Sequence, residues 1–132
     1  MNPTQEQMQW FWEQCGLRWF WNHNPDCDCG ALDDNDDMRD WNYQKDGKWV
    51  LATNFYHEKM NRIERPEFIG YLFKYAVPKL AGEEEIQCLL IYSAEFKWEA
   101  SLYKELSLAS CSDEDPAIAL FWAIYKAFGG KE

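Results

Sequence analysis

The chain has 132 residues and a formal net charge of −10, from 23 acidic against 13 basic side chains, and 17% of its residues are aromatic, including eight Trp. That length suits one hydrophobic core, so a single domain over 1–132 is expected, and the apolar content exceeds what a disordered segment carries. The charge opposes direct binding to nucleic acid or to an anionic membrane surface, and no apolar run approaches the ~20 residues of a membrane-spanning helix.

Thr4 followed by Gln7 reads as a capping box, and Met8, Phe11, Trp12 and Cys15 then recur at helical spacing until Gly16, which predicts a first helix over 5–15. Residues 17–40 mix Trp19, Phe20 and Trp21 with a polar, turn-rich stretch, and an irregular excursion anchored by those aromatics is expected. Asp46-Gly47 between 41–44 and 48–52 signals a tight hairpin of two antiparallel strands. Pro66 sits where a first helical turn tolerates proline, so 67–77 is expected to be helical. That helix is apolar on most of its circumference and should be covered on more than one side.

The run 86–92 reads as a buried strand, while Phe96, Trp98, Ala100 and Leu102 alternate with Lys97, Glu99, Ser101 and Tyr103, as in a strand with one wet face. A shorter strand around 105–109 continues the meander. Asp115 then caps a helix with Pro116 at its first position, and Ala117, Leu120, Phe121, Ile124, Tyr125 and Phe128 form one stripe ended by Gly129-Gly130. Helices at both ends and in the middle, with hairpin-linked strands between, predict an α+β fold: a mainly antiparallel sheet with helices on its faces.

Segments 71–80 (YLFKYAVPKL) and 115–126 (DPAIALFWAIYK), in that order and separation, resemble two signatures of the phage ABA sandwich family of small bacteriophage proteins. The run from Trp12 to Gly16 is similar to the ending of that family's leading helix, so the resemblance covers most of the chain and is strongest from Phe68 onward. It implies an α/β/α layered sandwich, encoded by a phage or prophage and expressed in the host bacterium's cytoplasm. It implies no activity and carries no catalytic residues over. The Asp-rich, Cys-containing segment 23–40 departs from the family pattern.

Five Cys leave one unpaired in any disulfide scheme, and the opening residues 1–6 have neither a basic nor an apolar leader region, so a reducing cytoplasm is expected. Cys15, His23, Cys27 and Cys29 are zinc-type ligands, but Cys-x-Cys is a strained chelating pair and Cys15 belongs to the helical stripe. The expectation is a loop without a metal, plus one core thiol. Seven Asp lie between Asp26 and Asp40, yet a calcium loop counted from Asp33 would need Gly where Met38 stands and Glu where Gln44 stands. A solvated acidic loop is expected, with a weak divalent site or a surface imitating DNA phosphates as further options.

His57, Lys59, Arg62 and Arg65 gather the cations of this acidic chain into one segment, where guanidinium forks could grip a phosphate and Trp19, Trp21, Trp41 or Tyr56 could stack on a base. Local pairing with Glu58, Glu64 and Glu67 is the plainer alternative. His23 and His57 lie in no motif with Ser or Cys, no phosphate-cradling loop occurs, and neither an enzymatic activity nor a cofactor is expected.

Core filling accounts for Phe11, Trp12, Phe73, Trp98 and Phe121. Several of Trp10, Trp19, Trp21, Trp41, Trp49 and Trp122 should then line a groove or a subunit interface, which points to a homo-oligomer. Two functions fit: a phage accessory protein that sequesters a nucleotide immune signal in an aromatic pocket, or an acidic phosphate mimic that binds and inhibits a basic host nuclease or DNA-binding effector.

Overall fold

The computed structural model describes residues 1–20, 40–52, 63, 67–84 and 86–131. Helix α1 covers Gln5–Gln14 and begins with the reciprocal capping box of Thr4 and Gln7. It buries Met8, Phe11 and Trp12, and Cys15 at its C-cap, the four residues whose spacing predicted it. Gly16 ends it in the left-handed region (φ 88°), with Gly16 N–H donating to Glu13 and Leu17 N–H to Trp12, so the last carbonyls are satisfied by the chain that follows.

Strand β1 (Arg18–Phe20) comes directly after this turn, where the sequence suggested only irregular chain. Three residues are too few for an alternation to register, and the strand exists because β2 (Asp40–Lys45) pairs with it antiparallel, Trp19 opposite Trp41. Strand β3 (Lys48–Leu51) returns along β2 through the expected Asp46-Gly47 turn. Both turn residues have positive φ, 54° and 80°, the two-residue hairpin geometry that matches strand twist.

The middle helix runs further than expected. Helix α2 (Glu67–Tyr71) passes into a π-helical turn (Leu72–Ala76) and on into helix α3 (Val77–Glu84). A proline inside a helix has no N–H to donate and clashes with the carbonyl four residues back, a conflict that Pro78 sets up in this helix. The widened turn resolves that conflict: Val77 N–H bonds Leu72 C=O, five residues back, and the helix continues through the proline. Phe68, Leu72, Ala76 and Leu80 form its buried stripe. Its opposite flank is open, with Phe73 47% exposed, so Phe73 is a surface residue and not the core residue expected.

Strands β4 (Gln87–Ser93), β5 (Lys97–Lys104) and β6 (Leu106–Asp113) form a second antiparallel sheet in the order β4-β5-β6. β5 alternates only in part. Ala100 and Leu102 are buried as predicted, but Ser101, expected on the wet face, is buried between them, where its hydroxyl meets Glu99 and Ser110. Phe96, expected on the buried face, is exposed before the strand begins. β6 is longer than expected and carries a register shift opposite Leu102 and Tyr103. β4 is an edge strand and not the buried one expected, since Leu89 and Ile91 are 46% and 52% exposed on the side away from the helices.

Helix α4 (Pro116–Ala127) is capped by Asp115, whose carboxylate accepts from Ala117 N–H at 2.8 Å. It packs against β5 and β6 on one side and meets α1 and α2 on the other, through Phe121 against Phe11 (4.4 Å between ring centroids) and against Phe68 (6.4 Å). This middle position explains why every residue from Ala119 to Tyr125 is buried and not only the predicted stripe. The buried side chains of both sheets and of the helices join in one core cluster. The architecture is thus the layered, antiparallel α+β sandwich expected, its strands divided between two three-stranded sheets. Among the described residues, no helix is long and apolar enough to cross a membrane.

Candidate functional site

Most of the tryptophan surplus is absorbed by packing. Trp12, Trp41 and Trp122 are buried, Trp10, Trp19 and Trp98 are half-buried against the core, and among the described tryptophans only Trp49 is exposed, at 39%. Trp19 and Trp41 are brought together edge to face at 5.3 Å on the first sheet, and Tyr43, on the same face as Trp41, meets Tyr75 of the π turn at 5.3 Å. Tyr75 also donates its hydroxyl to Ala52 C=O at 3.0 Å, tying that sheet to the middle helix. Trp41 therefore presents no open ring face for a base: its two faces are occupied by the fold. Trp122, also expected at a surface, is 7% exposed and donates its indole N–H to Met1 C=O at 2.7 Å.

Trp21, Tyr56, His57, Lys59, Arg62 and Arg65 lie outside the described residues, as do His23, Cys27 and Cys29 and the Asp side chains of 26–40. Of the zinc-type residues, Cys15 is described. Burial pushes its thiol up to about 12, with the charge of Lys79 partly opposing, so the thiolate that a metal or a nucleophilic step requires is strongly disfavoured. Burial likewise raises Cys88. Among the described residues, no three His, Cys, Asp or Glu side chains come together in a way that could hold a metal ion.

A cleft of about 500 Å³ opens where the start of α1 meets the end of α4, lined by Thr4, Glu6, Gln7 and Trp10 on one side and by Tyr125, Gly129, Gly130 and Lys131 on the other. Its far wall is built by the helix stop read from the sequence. Gly129 adopts φ 91° and donates to Lys126 C=O, and Gly130 N–H reaches back to Tyr125 C=O at 2.9 Å. The chain then lies flat on the Tyr125 ring. A Cβ on Gly130 would sit 2.4 Å from that ring, so only glycine permits the approach. Tyr125 donates its hydroxyl to Lys131 C=O at 2.6 Å, which holds the backbone of the last lysine against the cleft.

The near wall is the half-buried Trp10 ring, set edge-on to Tyr125 at 5.0 Å. Beside it lies the amino end of α1, where the capping box takes the N–H groups of Thr4 and Gln7 and leaves those of Gln5 and Glu6, with the helix dipole, to give partial positive charge. The chemistry assembled there is an apolar aromatic wall, a helix amino terminus and the cationic residue Lys131, with Glu6 as the opposing charge among the described residues that line the cleft. Sequence reasoning marked Trp10 as a tryptophan beyond core needs and Gly129-Gly130 as a helix stop. It missed their meeting, because 115 residues separate Trp10 from Tyr125 and no local pattern reports that.

Compared with known proteins, the chain matches no family model, no curated protein and no solved structure.

Proposed function

We propose that the protein works by binding rather than by catalysis, and that the cleft between α1 and α4 holds a small ligand with a planar ring and an anionic group, such as a nucleotide derivative. The carrying observation is the placement of the Trp10 ring beside the amino end of α1 and Lys131 in a cleft of about 500 Å³. That volume falls within the range of sites for single small molecules. A base can stack on the indole while its phosphate sits at the helix terminus, where backbone N–H groups receive an anion without a dedicated arginine. In this reading the stacking residue is Trp10, in place of the Trp19 and Trp41 pair that the first sheet packs together.

The biological setting is that of a phage accessory protein, supported by the resemblance of 71–80 and 115–126 to phage ABA sandwich proteins, and the ligand class would be a nucleotide-derived signal of host defence. The other reading, a phosphate-mimicking acidic surface, rests on Asp side chains outside the described residues. Isothermal calorimetry against ADP-ribose and a set of cyclic dinucleotides tests the cleft. Binding by the native chain should fall on Trp10→Ala by a factor between ~5 and ~150, the equivalent of ~1–3 kcal/mol for one stacked base. Lys131→Ala should weaken it less and reduce its salt dependence. Absence of heat with every compound removes the proposal.

A further inference from the structure

The second sheet ends in two edges, and they are not alike. β6 carries a bulge opposite Leu102 and Tyr103, and it closes on Asp113, which receives the amino terminus of Met1 at 3.4 Å. In the first sheet, the outer strands β1 and β3 begin with Arg18 and Lys48. A bulge and charged edge residues are the devices by which folded proteins prevent edge-to-edge pairing. β4 has neither. Its seven residues, QCLLIYS, include no charge and no proline, pair with β5 in unbroken register, and have no strand on their other side among the described residues.

We propose that β4 pairs antiparallel with β4 of a second copy, about a two-fold axis at Leu90, to make a continuous six-stranded sheet. The strand is self-complementary about that point. Leu89 and Ile91, 46% and 52% exposed on the outer side, stand one residue either side of Leu90, so the axis sets each Leu89 against the partner's Ile91 and closes four half-exposed aliphatic side chains into one patch. On the inner side Leu90 meets its own copy, and Tyr92, 58% exposed, meets the partner's Cys88. The net charge of −10 makes two copies repel over most of their surfaces, and this uncharged strand is where that repulsion is least. A seven-residue edge and three large side chains per copy bury roughly 600 Å² on each partner, at the small end of specific interfaces, so the dimer should form in the micromolar range.

This inference does not depend on the α1–α4 cleft. Its test is light scattering coupled to size exclusion, from ~1 to ~200 µM, on the native chain and on the double variant Leu89→Lys with Ile91→Lys. Both positions are half-exposed, so the variant should keep the native near-ultraviolet circular dichroism. The native chain should rise from the 15.7 kDa monomer towards twice that mass, and the variant should remain monomeric throughout. Under oxidation, Leu90→Cys should form an interchain disulfide faster than Leu106→Cys on the opposite edge, because the axis brings position 90 against itself. A native chain that stays monomeric at ~200 µM overturns the proposal. So does a dimer that persists in the double variant or that cross-links no faster at 90 than at 106.

Discussion

Phe121 and Phe73 offer the sharpest check on the layering, because the same substitution should have very different costs at the two sites. Phe121 is fully buried and its ring contacts Phe11, Phe68, Trp122 and Tyr125, with centroid separations from 4.4 to 6.4 Å. Phe→Ala at a closed core site costs ~3–5 kcal/mol, and four ring partners that cannot collapse into the vacated space place Phe121→Ala near the upper end. Phe73, on the open flank of the π turn, retains 47% exposure, so Phe73→Ala forfeits about half of the ~1.5–3 kcal/mol that full burial confers, or about 1 kcal/mol. Urea unfolding followed by tryptophan fluorescence converts these, at a slope of ~1.5 kcal/mol/M, into midpoint shifts of roughly 3 M and 0.7 M. Phe121→Leu keeps most of the apolar volume and should shift the midpoint by less than ~1 M, which separates a packing loss from a failure to fold. Equal shifts for the two alanine variants, or a larger one for Phe73, would refute the placement of α4 between the sheet and the other helices.

The cap of α4 and the buried thiol make further predictions. Asp115→Ala should cost about 1 kcal/mol in the same assay and Asp115→Asn much less, since Asn still accepts from Ala117 N–H. Cys15 and Tyr75 are both pushed up to about 12 by burial, from ordinary values of 9.0 and 10.0. The unfolded chain therefore releases protons near pH 9–10 that the folded chain retains, so these groups contribute stability below that range and lose it as pH rises towards 12. The thermal midpoint should fall between pH 9 and 11, and the fall should be shallower in Cys15→Ala. An identical alkaline slope in the variant would contradict the assignment.

The sequence disclosed those parts of the fold that local chemistry determines. Thr4 with Gln7, Asp46-Gly47, Asp115-Pro116 and Gly129-Gly130 each dictate a cap, turn or stop through their own backbone requirements, and all four are found where their spacing placed them. What stayed hidden depends on partners distant in the chain. β1 exists only because β2 pairs with it, the helix passes Pro78 only because a π turn absorbs the clash, and β4 reads as buried because its sequence does not tell which side of its sheet the helices cover. The candidate site has the same character. Counting tryptophans against a small interior overestimated the surface surplus, because two aromatic-rich sheets and a helix buried on several sides accommodate Trp41 and Trp122. Trp49 stays exposed and Trp10 half-buried, and only the close of α4 shows what Trp10 faces.

The binding cleft is tested most directly by two-dimensional nitrogen–proton NMR during titration with ADP-ribose and with the cyclic dinucleotide that gives the largest calorimetric signal. The Trp10 indole and the amides of Glu6, Gln7, Gly129 and Gly130 should shift together on one saturable curve, while the Trp41 and Trp122 indoles stay in place. Shifts confined to other residues, or a spectrum unchanged at millimolar ligand, would contradict a ligand site between α1 and α4.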